Sequence, residues 1–136
     1  MKRLILVVAF LPILAFAGKT EREFWKNTLT PAMDQAKKSY KEACGCALDI
    51  NVDETAKKSE DIMRNVRNVC NEIENNAKGY CTDADSKKAI CQMKKLVIKH
   101  DPAGETKFAF GKGVGTVMLD KQSYVSWDMM TRELDK

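Results

Sequence analysis

The sequence predicts an α+β domain that is mainly α-helical, in which an antiparallel helical hairpin is cross-linked by a disulfide and followed by a small antiparallel β-hairpin. Three observations lead to this prediction. Residues 54–77 repeat apolar side chains with helical spacing, residues 107–119 alternate around several glycines, and five cysteines follow a segment that resembles an export signal. Helices first and strands last are typical of the α+β class.

The first 17 residues have the layout of a secretory signal peptide. Two basic residues precede an uninterrupted apolar run over residues 4–17, and a small-x-small sequence, Ala15-Phe16-Ala17, ends it. The run has 14 residues and contains Pro12, whereas a membrane-spanning helix needs about 20 apolar residues. We therefore expect a signal peptide at 1–17, a single exported domain at 18–136 in the periplasm or outside the cell, and no stable membrane insertion after cleavage.

The charge balance of the expected mature domain is close to neutral. Removal of residues 1–17 takes away two of the 23 basic residues and none of the 19 acidic ones, which leaves a net charge of +2. Charges of both signs are mixed along the chain, as on an ordinary solvated surface. Nucleic-acid binding usually requires a concentrated basic face, so we do not expect a nucleic-acid partner.

The stretch from residue 21 to residue 43 is expected to be helical. Apolar residues follow a capping-box pattern at Thr20 and Glu23, and Thr30-Pro31 resembles an N-cap followed by proline at the first helical position. These signals leave two alternatives, either two short helices or one helix that is kinked at Pro31.

The next two predicted helices lead to a disulfide assignment. Residues 54–77 form an amphipathic helix after a possible N-cap at Asp53, and a second helix is expected from about residue 84 to residue 99. Their short linker predicts an antiparallel pair. Cys70 and Cys91 would then lie at the same level, roughly 10–12 Å from the turn. The prediction is a Cys70–Cys91 disulfide, which would contribute about 3 kcal/mol of stability.

The remaining cysteines leave several possibilities open. Cys44 and Cys46 would lie some 35 Å from Cys81 along a straight helix, so no contact is expected unless another segment folds back. The odd thiol could form a disulfide-linked homodimer, cap a tight Cys44–Cys46 ring, or stay buried and free. Cys44-Gly45-Cys46 could instead act as a redox dithiol or bind a soft metal such as Cu(I), although the expected position at a helix C-terminus disfavours thiolates.

The glycine-rich segment is interpreted as a β-hairpin with its bend at Gly111-Lys112-Gly113. Phe108, Phe110, Val114 and Met118 are expected to share one face because they follow a period of two. The segment fails the phosphate-loop pattern, and position 116 is threonine where a dinucleotide fingerprint needs its third glycine. No nucleotide cofactor is expected. Residues 124–134 are interpreted as a short strand that enters a short helix.

The other polar residues give no catalytic pattern. His100 is the only histidine, and no G-x-S-x-G motif presents Ser123 or Ser126 as a nucleophile. The spacing of Cys91 and His100 fits no standard zinc site. We therefore expect a protein that is not an enzyme and that holds no metal or other cofactor, with a small hydrolase that uses His100 as a rival.

These expectations favour a domain that binds another protein. Small exported domains of this kind include immunity- or inhibitor-type proteins that neutralise a toxin or an enzyme, so that is the predicted function. Its partner-binding residues are expected near the hairpin tip or the C-terminus, at Lys112, Tyr124 and Trp127. A thiol redox or soft-metal protein that uses Cys44 and Cys46 is the alternative, and a disulfide-linked or non-covalent homodimer is a further one.

Overall fold

The computed structural model describes residues 18–120 and 122–136 and confirms a mainly helical α+β domain. The expected signal peptide lies outside these residues. The elements in chain order are α1 (Lys19–Phe24), a π-helical turn (Trp25–Leu29), α2 (Thr30–Cys44), β1 (Asp49–Val52), a 3-10 turn (Glu54–Lys57), α3 (Glu60–Tyr80), α4 (Ala84–Ile90), β2 (Lys95–His100), β3 (Lys107–Gly111), β4 (Val114–Leu119) and α5 (Trp127–Leu134).

The N-terminal helical region is one continuous run with a wider turn in its middle. Pro31 has no N–H to donate to the carbonyl four residues before it, and the backbone N–H of Thr30 instead bonds the carbonyl of Trp25, five residues back. The Thr30 hydroxyl donates to the same carbonyl at 2.8 Å. The proline therefore produces a π turn rather than two separate helices.

Helix α3 is the longest element of the domain and begins later than predicted. Asp53 caps the preceding 3-10 turn, and Ser59 caps α3 by accepting a hydrogen bond from the N–H of Ile62 at 3.2 Å. The predicted apolar stripe is confirmed, since its side chains face the core. They are Ile62, Met63, Val66, Val69, Cys70, Ile73 and Ala77.

Helices α2 and α3 are the principal helical pair, and they run in the same direction. Near the start of α3, the guanidinium groups of Arg64 and Arg67 lie about 6 Å from the ring centre of Phe24, the last residue of α1, which continues through the π-helical turn into α2. At the C-terminal ends of α2 and α3, Cys44 is bonded to Cys81. After α2, strand β1 and the 3-10 turn return the chain to the end of the domain where α2 begins, and α3 starts there. The predicted antiparallel pairing of a helix over 54–77 with a helix over 84–99 is therefore wrong.

The predicted helix over residues 84–99 is correct only for its first half. Helix α4 ends at Ile90, and Lys95–His100 form β2. In β2 the buried residues are Leu96 and Ile98, which alternate with more exposed neighbours. The apolar residues of this segment also match a helical period. The segment forms a strand because it pairs with two neighbouring strands.

The four strands form one mixed sheet in the order β1-β2-β4-β3. Strand β2 lies parallel to both β1 and β4, whereas β3 and β4 are antiparallel. One face of the sheet packs against the helices. The side chains that it buries are Ile50, Val52, Leu96, Ile98, Phe108, Val117 and Leu119.

The β3–β4 hairpin is confirmed, with a two-residue turn. Lys112 has a φ of 52° and Gly113 a φ of 81°, as a type I′ turn requires. The predicted common face is only half correct. Phe108 pairs with the buried Val117, but Val114 and Met118 lie on the opposite side of the sheet.

The chain ends in a helix, without the strand predicted before it. Residues 124–126 are irregular, and Ser126 caps α5 by accepting from the N–H of Met129 at 3.3 Å. The N–H of Trp127 donates to Glu72 Oε1 on α3 at 2.9 Å. This bond satisfies a backbone donor that the first turn of a helix leaves free.

Candidate protein-binding surface

Two disulfides join the end of α2 to two later segments. Cys44 is bonded to Cys81, and Cys46 is bonded to Cys91. Gly45 adopts a left-handed conformation with a φ of 80°, which turns the chain between the two cysteines. Both cross-links therefore converge where α2 ends, beside the C-terminus of α3 and the end of α4.

The predicted Cys70–Cys91 disulfide is wrong. Cys70 lies in the middle of α3 and is a fully buried free thiol, while Cys91 bonds Cys46. The prediction failed because α2, rather than a helix after residue 84, lies along α3. The same arrangement brings Cys44 to Cys81 despite the length of α3, because the chain folds back through β1 and the 3-10 turn, which is the condition under which the sequence permits this contact.

The two disulfides bear on the alternative function predicted for Cys44 and Cys46, a redox dithiol or a soft-metal site. Cys44 and Cys46 are each bonded to a distant cysteine rather than to one another, so neither offers a thiolate to a metal or to a redox partner in this state. Among residues 18–120 and 122–136, no cluster of histidine, cysteine and acidic side chains is suited to hold a metal ion. Burial of Cys70 also keeps the one unpaired thiol from the surface, where an intermolecular disulfide would form.

His100 and the two candidate serines are engaged in separate places. His100 Nδ1 lies 2.9 Å from the carbonyl oxygen of Leu119. The Ser123 hydroxyl bonds Thr106 and Asp120, and the Ser126 hydroxyl caps α5. The structure therefore does not bring this histidine and these serines together by a hydrogen bond.

The three predicted partner-binding residues do not form one surface. Lys112 is exposed at the β3–β4 turn, whereas Tyr124 follows Ser123, whose hydroxyl bonds Thr106 at the other end of the hairpin. The five residue pairs of this hairpin span roughly 16 Å, and this length separates Lys112 from Tyr124. Tyr124 is 40% exposed, but Trp127 is only 5% exposed. The indole of Trp127 packs edge-on against Tyr80 with ring centres 5.5 Å apart, so Trp127 belongs to the core.

A different surface is formed by the side of the sheet that faces away from the helices, which we call the open sheet face. Its residues alternate with the buried ones along each strand, and every one of them is exposed or half-buried. They are Asp49 and Asn51 on β1, Lys95, Val97 and Lys99 on β2, Lys107 and Ala109 on β3, and Val114, Thr116 and Met118 on β4.

The strand register arranges the open sheet face in rows. Asn51, Val97, Thr116 and Ala109 lie side by side across the four strands. In the adjacent row Met118 lies between Lys99 and Lys107. Neighbouring strands are about 4.8 Å apart, so a strip of apolar and β-branched side chains runs across the face between long cationic ones.

This surface was missed because β2 was assigned to a helix. Two signals in the sequence point to it. Residues 95–100 contain a short apolar run rich in β-branched residues between two lysines, and the segments 95–100 and 107–119 contain four lysines but no acidic residue. In a sheet these segments become neighbours, and their lysines then share a surface.

Comparison with known proteins adds no assignment. No protein-family model, no curated protein and no solved structure matches the chain. The two disulfides indicate an oxidising, non-cytosolic compartment. Within the described ranges, no helix combines the length and apolar character that a membrane crossing requires.

Proposed function

We propose that this protein is an exported, non-enzymatic, protein-binding domain of the immunity or inhibitor type, located in the periplasm or outside the cell. The open sheet face is its binding surface. The observation that carries the proposal is that this face leaves Val97, Thr116 and Met118 only half-buried, although most side chains on the opposite face of the same sheet are buried. Partly exposed apolar groups rimmed by polar ones are a feature of binding surfaces.

The cross-links support this role by fixing the scaffold. The disulfides tie the end of α2 to the ends of α3 and α4, and the Tyr40 hydroxyl donates from α2 to the carbonyl of Ile90 at 2.6 Å. A sheet held in one geometry loses little conformational entropy on association. A redox or metal role for Cys44 and Cys46 has no such support, since both sulfurs are bonded.

Site-specific photo-crosslinking in the producing cells tests the proposal. A benzoylphenylalanine replaces Ala109, an exposed residue of the open sheet face, and in a matched variant it replaces Lys38, which is exposed on α2. We expect one defined protein adduct from position 109 and none from position 38. The partner identified from that adduct, once purified, should lose activity when one equivalent of this domain is added.

Two results would contradict the proposal. Equal adducts from both positions would show unspecific proximity, and the absence of any adduct at position 109 would remove the sheet as the binding surface. A partner that binds without loss of activity would retain the binding function and reject the inhibitor type.

A further inference from the structure

We infer that the partner presents an acidic surface with a projecting apolar side chain to the open sheet face. This inference rests on the proposed function and adds the chemistry of the partner. Strands β2, β3 and β4 and the β3–β4 turn carry Lys95, Lys99, Lys107 and Lys112, and they carry no aspartate or glutamate. Positive charge is thus concentrated on three adjacent strands of a chain whose charges are otherwise mixed.

The lysines of the open sheet face are available to a partner. Among the described residues, none of Lys95, Lys99 and Lys107 forms an ion pair within 4.0 Å, although surface pairs occur elsewhere, as between Arg64 and Glu60. Asp49 lies beside Lys95 on the edge strand, and the other acids near these strands lie at strand ends, at Asp53, Asp101, Glu105 and Asp120. Asp53 accepts hydrogen bonds from Thr55, and these bonds together with the charge of Lys99 lower its pKa.

The strip of apolar and β-branched side chains between the lysines requires that the partner also present an apolar side chain. Met118 lies between Lys99 and Lys107 in one row, and Thr116 lies between Val97 and Ala109 in the next. A partner side chain such as leucine that rests on this strip places flanking carboxylates within reach of the lysine ammonium groups. Opposite charge across an interface selects the partner and speeds association.

Two other occupants fit the surface less well. A second copy of the chain would bring the same lysine-bearing strands against each other, and like charges in contact oppose association. Single-stranded nucleic acid needs aromatic side chains for base stacking, and the aromatic residues of β3, Phe108 and Phe110, alternate onto the covered side with Val117 and Gly115. The open sheet face itself has no aromatic residue.

Nuclear magnetic resonance titration with a defined probe tests the inference. The probe is a peptide with four glutamates on each side of one leucine, and its matched control has glutamine in place of every glutamate. We expect the acidic peptide to shift amide signals of residues 95–99, 107–109 and 114–118, and the control to shift none. Because exposed charges are screened by salt, raising it from 0.05 to 0.3 M should weaken binding about tenfold.

Charge-removal variants give the residue-level test. Changing Lys95, Lys99 and Lys107 together to glutamine should weaken acidic-peptide binding about tenfold, since each exposed charge contact adds modestly to affinity. A matched triple change at Lys38, Lys41 and Lys88, which are exposed on helices, should leave it unchanged. Unaltered spectra outside the changed residues verify that both variants are folded.

Several outcomes would overturn the inference. In the titration, these outcomes are signal shifts scattered over lysines of the helices and binding of the glutamine control as tight as that of the acidic peptide. The other two are tighter binding of a DNA oligonucleotide at the same face and self-association through this face in a sedimentation experiment. Failure here remains distinguishable from failure of the proposed function. A partner crosslinked at position 109 that lacks an acidic surface rejects only the partner chemistry, whereas the absence of any adduct at position 109 rejects the open sheet face as the binding surface.

Discussion

The hydroxyl of Tyr40 on α2 lies 2.6 Å from the carbonyl oxygen of Ile90 and 3.1 Å from that of Met93, 50 and 53 residues further along the chain. Tyr40 is fully buried, so its phenol is the polar tip of a core side chain that holds the α4–β2 connection against α2. The pKa of its hydroxyl is raised far above the ordinary value by burial, and the group remains a neutral donor.

Removing this hydroxyl should destabilise the domain without reshaping the core. In Tyr40→Phe the Ile90 carbonyl keeps the bond from the N–H of Met93, while the Met93 carbonyl loses the phenol as a donor. A buried polar group without a partner costs about 1–3 kcal/mol. We expect the free energy of unfolding in urea to fall by that amount.

The matched control is Tyr124→Phe, because Tyr124 is the exposed tyrosine. Its effect should stay within about 0.5 kcal/mol, as for most surface substitutions. Equal effects of the two substitutions would show that the Tyr40 hydroxyl contributes nothing specific.

The disulfide pattern predicts the behaviour of serine variants. Cys46→Ser with Cys91→Ser should retain the Cys44–Cys81 bond and lose about 2–4 kcal/mol of stability. Cys70→Ser should retain both bonds. Mass spectrometry of digests with and without reductant checks each variant, and loss of a disulfide in the Cys70 variant would contradict the pairing.

Gly115 is predicted to be intolerant of any side chain. A Cβ at this position of β4 would lie 2.6 Å from Met93 Sδ and 2.8 Å from the ring of Phe108, both within the core. Gly115→Ala should lower the free energy of unfolding by about 1–3 kcal/mol, because overpacking forces neighbours out of their rotamers.

Gly111 in the same hairpin provides the comparison. Nothing lies within 4 Å of a Cβ built there, and its backbone is not in the left-handed region. Gly111→Ala should be neutral or stabilising by up to about 1 kcal/mol. An equal loss in both variants would indicate that the hairpin resists alanine for a reason other than this close contact.

The sequence correctly predicted those elements that are determined by residues close together in the chain. The stripe around Val66 and Ile73 identified α3, and the glycines at 111 and 113 identified the hairpin turn. Strand β1 has only four residues, and its neighbour β2 lies some 45 positions away along the chain, so its existence depends on pairing that a local window does not contain. Strand β2 was assigned to a helix for the same reason.

The open sheet face was not predicted because its residues become neighbours only when the strands pair. Lys99 and Lys107 are eight positions apart, and only the placement of β4 between their strands puts Met118 in a row with both. Trp127 shows the converse error. A tryptophan near the C-terminus resembles a surface anchor, but Glu72 accepts its backbone N–H and Tyr80 packs against its ring, so it is buried.

The buried thiol of Cys70 predicts a distinctive titration. Burial raises its pKa from 9.0 to about 12. The folded thiol therefore stays protonated between about pH 9 and pH 12, whereas the thiol of the unfolded chain loses its proton. The contribution of this group to stability is complete below pH 9 and is lost as the pH rises toward 12, at about 1.4 kcal/mol per pH unit.

Thiolate absorbance at 240 nm measures this difference directly. The spectrum of Cys70→Ala is subtracted from that of the wild type at each pH, which cancels tyrosine ionisation. The folded protein should show thiolate only above about pH 11, and the protein in guanidinium should show it near pH 9. A native-state midpoint near 9 would mean that water reaches Cys70, and the odd thiol would then be open to the intermolecular chemistry that its burial excludes.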